Sequence, residues 1–544
     1  MANRTRFAGS LCRQCIVLGL ALGLAQGCAF VTRVSVTPTP GVQPDGDSSD
    51  PSISADGRYV AFASEATNLV TGDTNAYKDI FVRDNVAGTT ELISQSVGGG
   101  SGNGLSGQPD ISGDGRYVVF WSYADDLIPS DTNQASDVFL YDRTLGVMER
   151  ISVDSSGGEA NGFSLGGSVS DDGNIVAFYT DASLAANDTN GSYDIYVRDR
   201  QAGTTTLKSK NLSGGAAGSS FDPIVGRDGG SLLFWSSASD ISVDDTNGFP
   251  DVFGMISILP GAILNLTSGG NGASYTGDVS TGVIPMVTFH SFASNLVPGD
   301  NDTNGVADIF IIDQGGSLVV TKRITNGNGP SLNPVIGVSA QGGAYQSVAF
   351  VSLATNLQRS GAQPLDTNGV ADVYLWERGD ATGPKGRIRL ASRDFLGRLA
   401  NGASTGRPAI SADRTAIAFA SAASNLVNND TNGYEDVFAR PSWEPRISSV
   451  SGDLTPGQVS QITLTGNFIL EPGVIFADQV QLAGNGVVSV VVDSVTDSHM
   501  DLTIELAPDA ATGPRNLIVS RPHVGLGMAP LGSADWIQVM VTAP

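Results

Sequence analysis

Seven times along the chain the same loop recurs: Asp-Thr-Asn, three variable residues, then Asp. The copies begin at Asp73, Asp131, Asp188, Asp245, Asp302, Asp366 and Asp430, and close at Asp79, Asp137, Asp194, Asp251, Asp308, Asp372 and Asp436. Successive copies lie 57 to 64 residues apart. A fixed period of that size means tandem units that bury a core only by stacking on their neighbours. Around the first loop, Pro51–Ser54 reads as a short strand and Asp56-Gly57 as a tight turn, because Gly supplies the positive φ of a two-residue hairpin. Tyr59–Ser64, Asp79–Asp84 and Thr90–Ser94 follow as strands rich in β-formers. Four short antiparallel strands per unit predict a propeller blade, and seven units predict seven blades over residues 30–442.

The seventh unit lacks a fourth strand, and the chain after Phe438 changes character. Thr32-Arg33-Val34-Ser35-Val36 matches Glu149-Arg150-Ile151-Ser152-Val153, the fourth strand of the second unit. The N-terminal strand is therefore expected to complete the last blade, closing the ring and removing exposed sheet edges. The Ser-x-Ala-Asp-Gly-x-x-Val-Ala-Phe-x-Ser and Asp-Ile-Phe-Val-Arg-Asp patterns resemble the TolB-like, WD-repeat-like propellers of bacteria over about three-quarters of the chain. That resemblance implies a fold and leaves the activity open, since propellers host many functions. Residues 445–544 carry alternating strand patterns at Gln461–Gly466, Gly486–Val492, Met500–Ile504 and Arg515–Val519, which suit an immunoglobulin-like sandwich. Ile447–Val450, Gly466-Asn467-Phe468 and Gly513-Pro514-Arg515 resemble the IPT/TIG family, whose members are usually spacers or contact modules. The expected fold is thus all-β, a seven-bladed propeller followed by an Ig-like domain.

Residues 1–27 read as a leader. Arg4, Arg6 and Arg13 precede a short apolar run from Ile16 to Ala25, too short to span a bilayer. Leu24-Ala25-Gln26-Gly27-Cys28 resembles a bacterial lipobox, with Gln26 a departure from its usual small residue. Acylation of Cys28 would make an outer-membrane or surface lipoprotein; cleavage nearby would give a periplasmic or secreted chain. All three cysteines fall within residues 1–28, so the mature chain has no pair for a disulfide. Losing the leader takes the net charge from −25 to −28. Such a surface excludes nucleic acid as a partner, because phosphate binding needs Lys/Arg patches, and suits cations.

Oxygen ligands at alternate positions of a tight loop can wrap Ca²⁺. The loop is similar to the second half of the Asp-x-Asp-x-Asp-Gly-x-x-Asp calcium loop of integrin-type propellers. The fifth copy fits best, with Asp300, Asp302, Asn304, the Val306 carbonyl and Asp308 as candidate ligands. The seventh offers Asn428, Asp430, Asn432 and Asp436, and the first Asp73, Asn75 and Asp79. The competing reading is turn chemistry, since Asp and Asn bond to their own backbone and Asn-Gly favours left-handed geometry.

Two Gly-x-Ser-x-Gly matches, at Gly162–Gly166 and Gly402–Gly406, occupy one repeated linker position and lack the strand-to-helix turn of a nucleophile elbow. Of three histidines, His290 follows a strand as a packing residue, while His499 and His523 lie in the tail. Trp121, Trp235, Trp376 and Tyr179 fall near strand ends, where they could pack between blades or stack on sugars. The resulting expectation is a non-enzymatic exported module that binds a protein or glycan on a propeller face. Alternatives are a propeller hydrolase or lyase acting on polysaccharide, marked by a solvent-facing acid/base constellation that breaks the repeat, and an envelope scaffold in a TolB-like role.

Overall fold

The computed structural model describes residues 31–211, 214–215, 218–255, 262–281, 285–300, 302–315, 318–338, 346–357, 366–378, 386–394, 398–414, 416–441, 446–452, 454–467, 480–482, 487–495, 499–520 and 534–541. The leader, Cys28 and His523 lie outside them. The chain divides into two compact units, Val31–Ser442 and Trp443–Pro544. Among the described residues there is no helix.

The described residues of Val31–Ser442 form seven four-stranded antiparallel sheets and one short hairpin, Lys210–Asn211 with Gly214–Gly215. The first sheet runs Ser48–Ile53, Tyr59–Ser64, Asp79–Asp84, Thr89–Leu92, in chain order. Five more sheets repeat that order. The seventh takes Ser404–Ile410, Ala416–Ser421 and Asp436–Pro441 from the end of the unit and Thr32–Arg33 from its beginning. Thr32 pairs with Ala439 and Arg33 with Phe438. The first strands of neighbouring sheets pack side by side, the seventh against the first.

The middle strands are almost wholly buried, as expected of strands covered on both faces. Each sheet stacks the aromatic ring of its second strand on that of its third: Phe62 on Phe81 at 5.8 Å and Phe289 on Phe310 at 5.4 Å, for example. These rings interleave with small apolar residues of the adjoining sheet; Phe62 and Phe81 share a core with Ala418 and Val437. A fully buried Phe contributes about 1.5–3 kcal/mol, so stacking the sheets supplies what each lacks alone. Hydroxyl pairs tie first strand to second at one end, as between Ser48 and Ser64 at 2.9 Å.

Every first strand is broken by a bulge, seen as a register shift against the second strand. Asp50, Gln108, Asp222 and Asn333 stand there at φ of +48° to +54°, each followed by Pro. Such bulges bend the strand and re-aim its side chains, here toward the centre of the ring of sheets.

The described part of Trp443–Pro544 has two antiparallel sheets. One orders Arg446–Ser451, Val459–Asn467, His499–Leu506, Val487–Val495; the other orders Val480–Leu482, Gly513–Ser520, Ala534–Val541. Ile462, Leu464, Met500, Leu502 and Ile504 are buried at its core.

Candidate functional site

The closing Asp of every loop begins the third strand and is completely buried. Each accepts a hydrogen bond from a Ser or Thr just past the fourth strand. Ser94 donates to Asp79 at 2.5 Å, Ser209 to Asp194 at 2.6 Å, Thr325 to Asp308 at 2.7 Å, and Ser35 to Asp436 at 2.6 Å. The same hydroxyl accepts from the next backbone N–H of the third strand, as Ser94 does from Ile80 at 3.0 Å. The recurring carboxylate is therefore a clip between third and fourth strands.

What surrounds the clip differs among the sheets. Two residues before the hydroxyl, paired with the third-strand aromatic ring, stand Leu92, Arg150, Leu207, Asn265, Arg323, Leu390 and Arg33 in turn. In the fifth loop the Arg323 guanidinium reaches Asp300 at 2.7 Å, Asp302 at 3.0 Å and Asp308 at 3.1 Å. In the seventh, Arg33 lies 2.9 Å from Asp430 and 3.4 Å from Asp436. Asp131, Asp137 and Glu159, a triad close enough to share a cation, surround Arg150. In the fifth and seventh loops an arginine of the chain lies among the residues expected to hold Ca²⁺. Asn304 and Asn432 turn their amide groups on Asp308 and Asp436, at 2.9 and 3.2 Å. Asn304 also accepts from the Val306 N–H, an Asx turn. Asn428 is exposed, and among the described residues the partners of Asp436 are Ser35, Asn432 and Arg33.

The leucine sheets carry no such charge. In the third and sixth, Tyr196 and Tyr374 replace Phe on the third strand and donate to Asp188 and Asp366, both at 2.6 Å. Burial pushes the Asp194 and Asp372 carboxyls up to about 6, against the pull of Ser209 and Ser392. In the first sheet the aromatic residue is Phe81, and burial pushes Asp79 up to about 7, with Asp73 adding to the rise.

A second constellation lines the central cavity, about 440 Å³ in volume, which all seven first strands enclose. Two residues past the bulge, the sheets place Ser52, Asp110, Ser168, Ile224, Asp278, Val335 and, after one inserted residue, Ala409. Asp110 and Asp278 break the repeat. Asp110 accepts from Ser52 Oγ at 2.9 Å and the Val169 N–H at 3.0 Å, on the sheets to either side. Asp278 accepts from the Val279 and Ile336 N–H groups at 2.9 and 3.0 Å. Each oxygen keeps a second lone pair. Burial raises the Asp110 carboxyl above its ordinary range, opposed by those donors and by Arg227 and Arg407.

Arg407 is the residue that the insertion in the seventh first strand releases. It reaches past the sixth sheet to the fifth, donating to the Gly277 carbonyl at 2.6 Å and lying 3.6 Å from Asp278. Arg227 lies 3.3 Å from Asp171. Asp171 accepts from the Gly113 N–H at 2.8 Å, and a Cβ on Gly113 would fall 2.4 Å from its oxygen. The first sheet has Ala55 where the second has Gly113, so only the second admits a neighbouring carboxylate there.

Aromatic residues gather on one side of the same structure. The residue before the hydroxyl that ends the second strand is Trp121, Tyr179, Trp235 and His290 in the second to fifth sheets, but Val351, Ala420 and Ala63 in the others. Trp121 meets Tyr123 edge-on, and Tyr123 meets Phe163. Tyr179, Phe221, Trp235, Tyr275 and His290 continue in ring contact across the third to fifth sheets. Trp121 donates to Gln108 at 3.1 Å and Trp235 to Asp222 at 2.8 Å, tying this crescent to two residues of the cavity lining. Burial lowers His290 to about 4, so it stands neutral as a packing residue. Trp376 is different: it lies in a third strand, buried in the core. Ser164 and Ser404 of the Gly-x-Ser-x-Gly matches are completely buried and bonded to Thr180 and Ser421.

No family model and no curated protein matches the chain. Solved structures similar to it include a Mycobacterium tuberculosis puromycin-hydrolyzing peptidase, at 12% identity and TM-score 0.40, covering 80% of this chain and 62% of that one. The chain thus spans about three-fifths of that peptidase. A polysaccharide lyase described as an ulvan lyase aligns at 9% identity and TM-score 0.40, over 75% of this chain and 95% of its own. An α-L-arabinofuranosidase of Fusarium graminearum aligns at 11% identity and TM-score 0.32, over 76% and 97%. At these scores the likeness assigns no activity. The expectation of a non-enzymatic binding module is corrected in one respect: the similar structures are named as enzymes, one of them a polysaccharide lyase. The cavity also holds two carboxylates that break the repeat, Asp110 and Asp278, both half-buried.

Proposed function

We propose that the chain is a polysaccharide-acting enzyme, a hydrolase or lyase, working from the central cavity of a seven-bladed propeller. The observation that carries this reading is the departure of Asp110 and Asp278 from the repeat, in a cavity that the other sheets line at that position with Ser, Ile, Val or Ala. Two carboxyl groups, one kept protonated by its surroundings, are the equipment of glycoside hydrolysis. Asp110 is the proton donor in this reading, and Asp278 the second carboxylate. Arg227 and Arg407 favour a lyase as the second reading, because a guanidinium can neutralise a uronate carboxylate beside the proton to be removed. The aromatic crescent supplies stacking faces for sugar rings.

The seven four-stranded sheets with adjoining first strands support the seven-bladed, TolB-like reading. The two antiparallel sheets of the tail support an Ig-like, IPT/TIG-like domain. The basic then apolar leader supports export, with attachment to a membrane through lipid on Cys28.

The test is incubation with a panel of neutral and uronate-containing polysaccharides. Hydrolysis releases reducing ends alone; elimination also gives the ultraviolet absorbance of an unsaturated uronide. D110N and D278N should each lose roughly 10²–10⁴-fold in turnover. Cleavage of no polysaccharide, or full activity in both variants, would overturn the proposal.

A further inference from the structure

The seven Asp loops are seven trials of one problem: two buried carboxylates held beside each other at the start of a third strand. Three sheets answer with a guanidinium from the fourth strand, namely Arg33, Arg150 and Arg323. The fourth answers with Asn265, which donates to Asp251 at 2.9 Å. The third and sixth give the leading Asp a tyrosine hydroxyl. The first sheet does none of these. Its fourth strand presents Leu92, its third strand Phe81, and Asp73 and Asp79 are 8% and 0% exposed. Ser94 satisfies one oxygen of Asp79; the other, Oδ2, is buried with no hydrogen-bond partner. Asn75 gives its amide to the Gly102 carbonyl at 2.7 Å, as Asn133, Asn304 and Asn368 do to the matching carbonyls, and also draws the Asp79 carboxyl down, so a neutral amide and no cation of the chain faces the pair.

We infer that the first loop binds a hard cation of the Ca²⁺ class between Asp73 and Asp79, in the place that an arginine fills in the second, fifth and seventh sheets. Carboxylate oxygens are the donors such an ion prefers, and water can complete its shell. The matched register makes the substitution direct: Leu92 pairs with Phe81 as Arg323 pairs with Phe310 and Arg150 with Phe139. The site therefore stands in a loop with only the common Asp-x-Asn-x-x-x-Asp ligands, and the loop with the fullest set is filled from within. This inference is independent of any activity at the central cavity.

The experiment is thermal melting of the full chain in EDTA and across a CaCl₂ titration, with MgCl₂ and NaCl as parallel arms. The wild type should melt several degrees higher with saturating Ca²⁺, since an ion that binds only the folded state stabilises it. L92R should melt higher than wild type in EDTA and lose the Ca²⁺ response. D79N, which keeps an oxygen for Ser94, should lose the response as well. R323L should gain a second Ca²⁺-dependent increment by opening the fifth loop. No shift of the wild type with any of the three ions would overturn the inference, as would a Ca²⁺ shift that persists undiminished in both L92R and D79N.

Discussion

Leu92, Leu207 and Leu390 stand where other sheets carry arginine or asparagine, and the closing carboxylates beside them respond. Asp79 is pushed up to about 7, and Asp194 and Asp372 to about 6, in each case chiefly by burial. A carboxyl whose folded pKa lies above its unfolded value stabilises the fold fully below about pH 4, and that contribution is lost as pH rises through the folded pKa. In EDTA, then, these three residues make the protein lose stability between about pH 4 and pH 7. D79N removes one of them. Urea denaturation at several pH values should show the wild type losing more stability than D79N, by up to about 1.4 kcal/mol per pH unit midway between about pH 4 and pH 7 and by less as pH approaches 7. Parallel pH profiles would show that Asp79 does not titrate in this range. At the cavity, the charge of Arg407, which draws the Asp110 carboxyl down, predicts that R407Q changes the pH profile of turnover more than it changes folding. The readouts are the pH-rate curve and the melting temperature of the same preparation.

The fourth strand is the element on which each sheet depends, and in the seventh sheet it comes from the other end of the unit. Ser35 donates to Asp436 and accepts from the Val437 N–H at 3.1 Å, so S35A leaves a buried acceptor and a buried donor unmet. The expected loss is about 1–3 kcal/mol by denaturant titration, and S94A should cost a similar amount in the first sheet. A negligible effect of both would deny the clip its role. These strands were legible in the sequence because Asp-Ile-Phe-Val-Arg-Asp and its relatives repeat both hydrophobic pattern and turn residues. The charge compensation was less legible: Arg323 lies 15 residues beyond Asp308 and meets it only when third and fourth strands pair. Aligning the residue two before each Ser or Thr would have exposed the Leu, Arg, Asn series. Asp110 and Asp278 were missed for another reason. They look like any strand acid until the bulge turns their position into the cavity, and only lining up Ser-x-x-Pro-x-Ile segments against their neighbours reveals the departure.

At the scale of the molecule, the ring is chemically uneven. Aromatic residues occupy the second to fifth sheets at a position where the sixth, seventh and first have Val351, Ala420 and Ala63. If this crescent guides a glycan toward Asp110 and Asp278, W235A should raise KM about tenfold with little change in kcat, in line with roughly 0.5–1.5 kcal/mol per stacking contact. An unchanged KM would confine Trp235 to packing. The split seventh sheet also governs how the chain can be made. Thr32 and Arg33 leave the ribosome early, and their partners Ala439 and Phe438 come about four hundred residues later. At ~5–20 residues per second that interval is roughly 20–80 s. Throughout it the earliest strand has no partner, and six sheets can stack before the last is possible. The newborn chain is therefore an open arc with two adhesive ends, and a second arc close by could join it end to end before it meets itself.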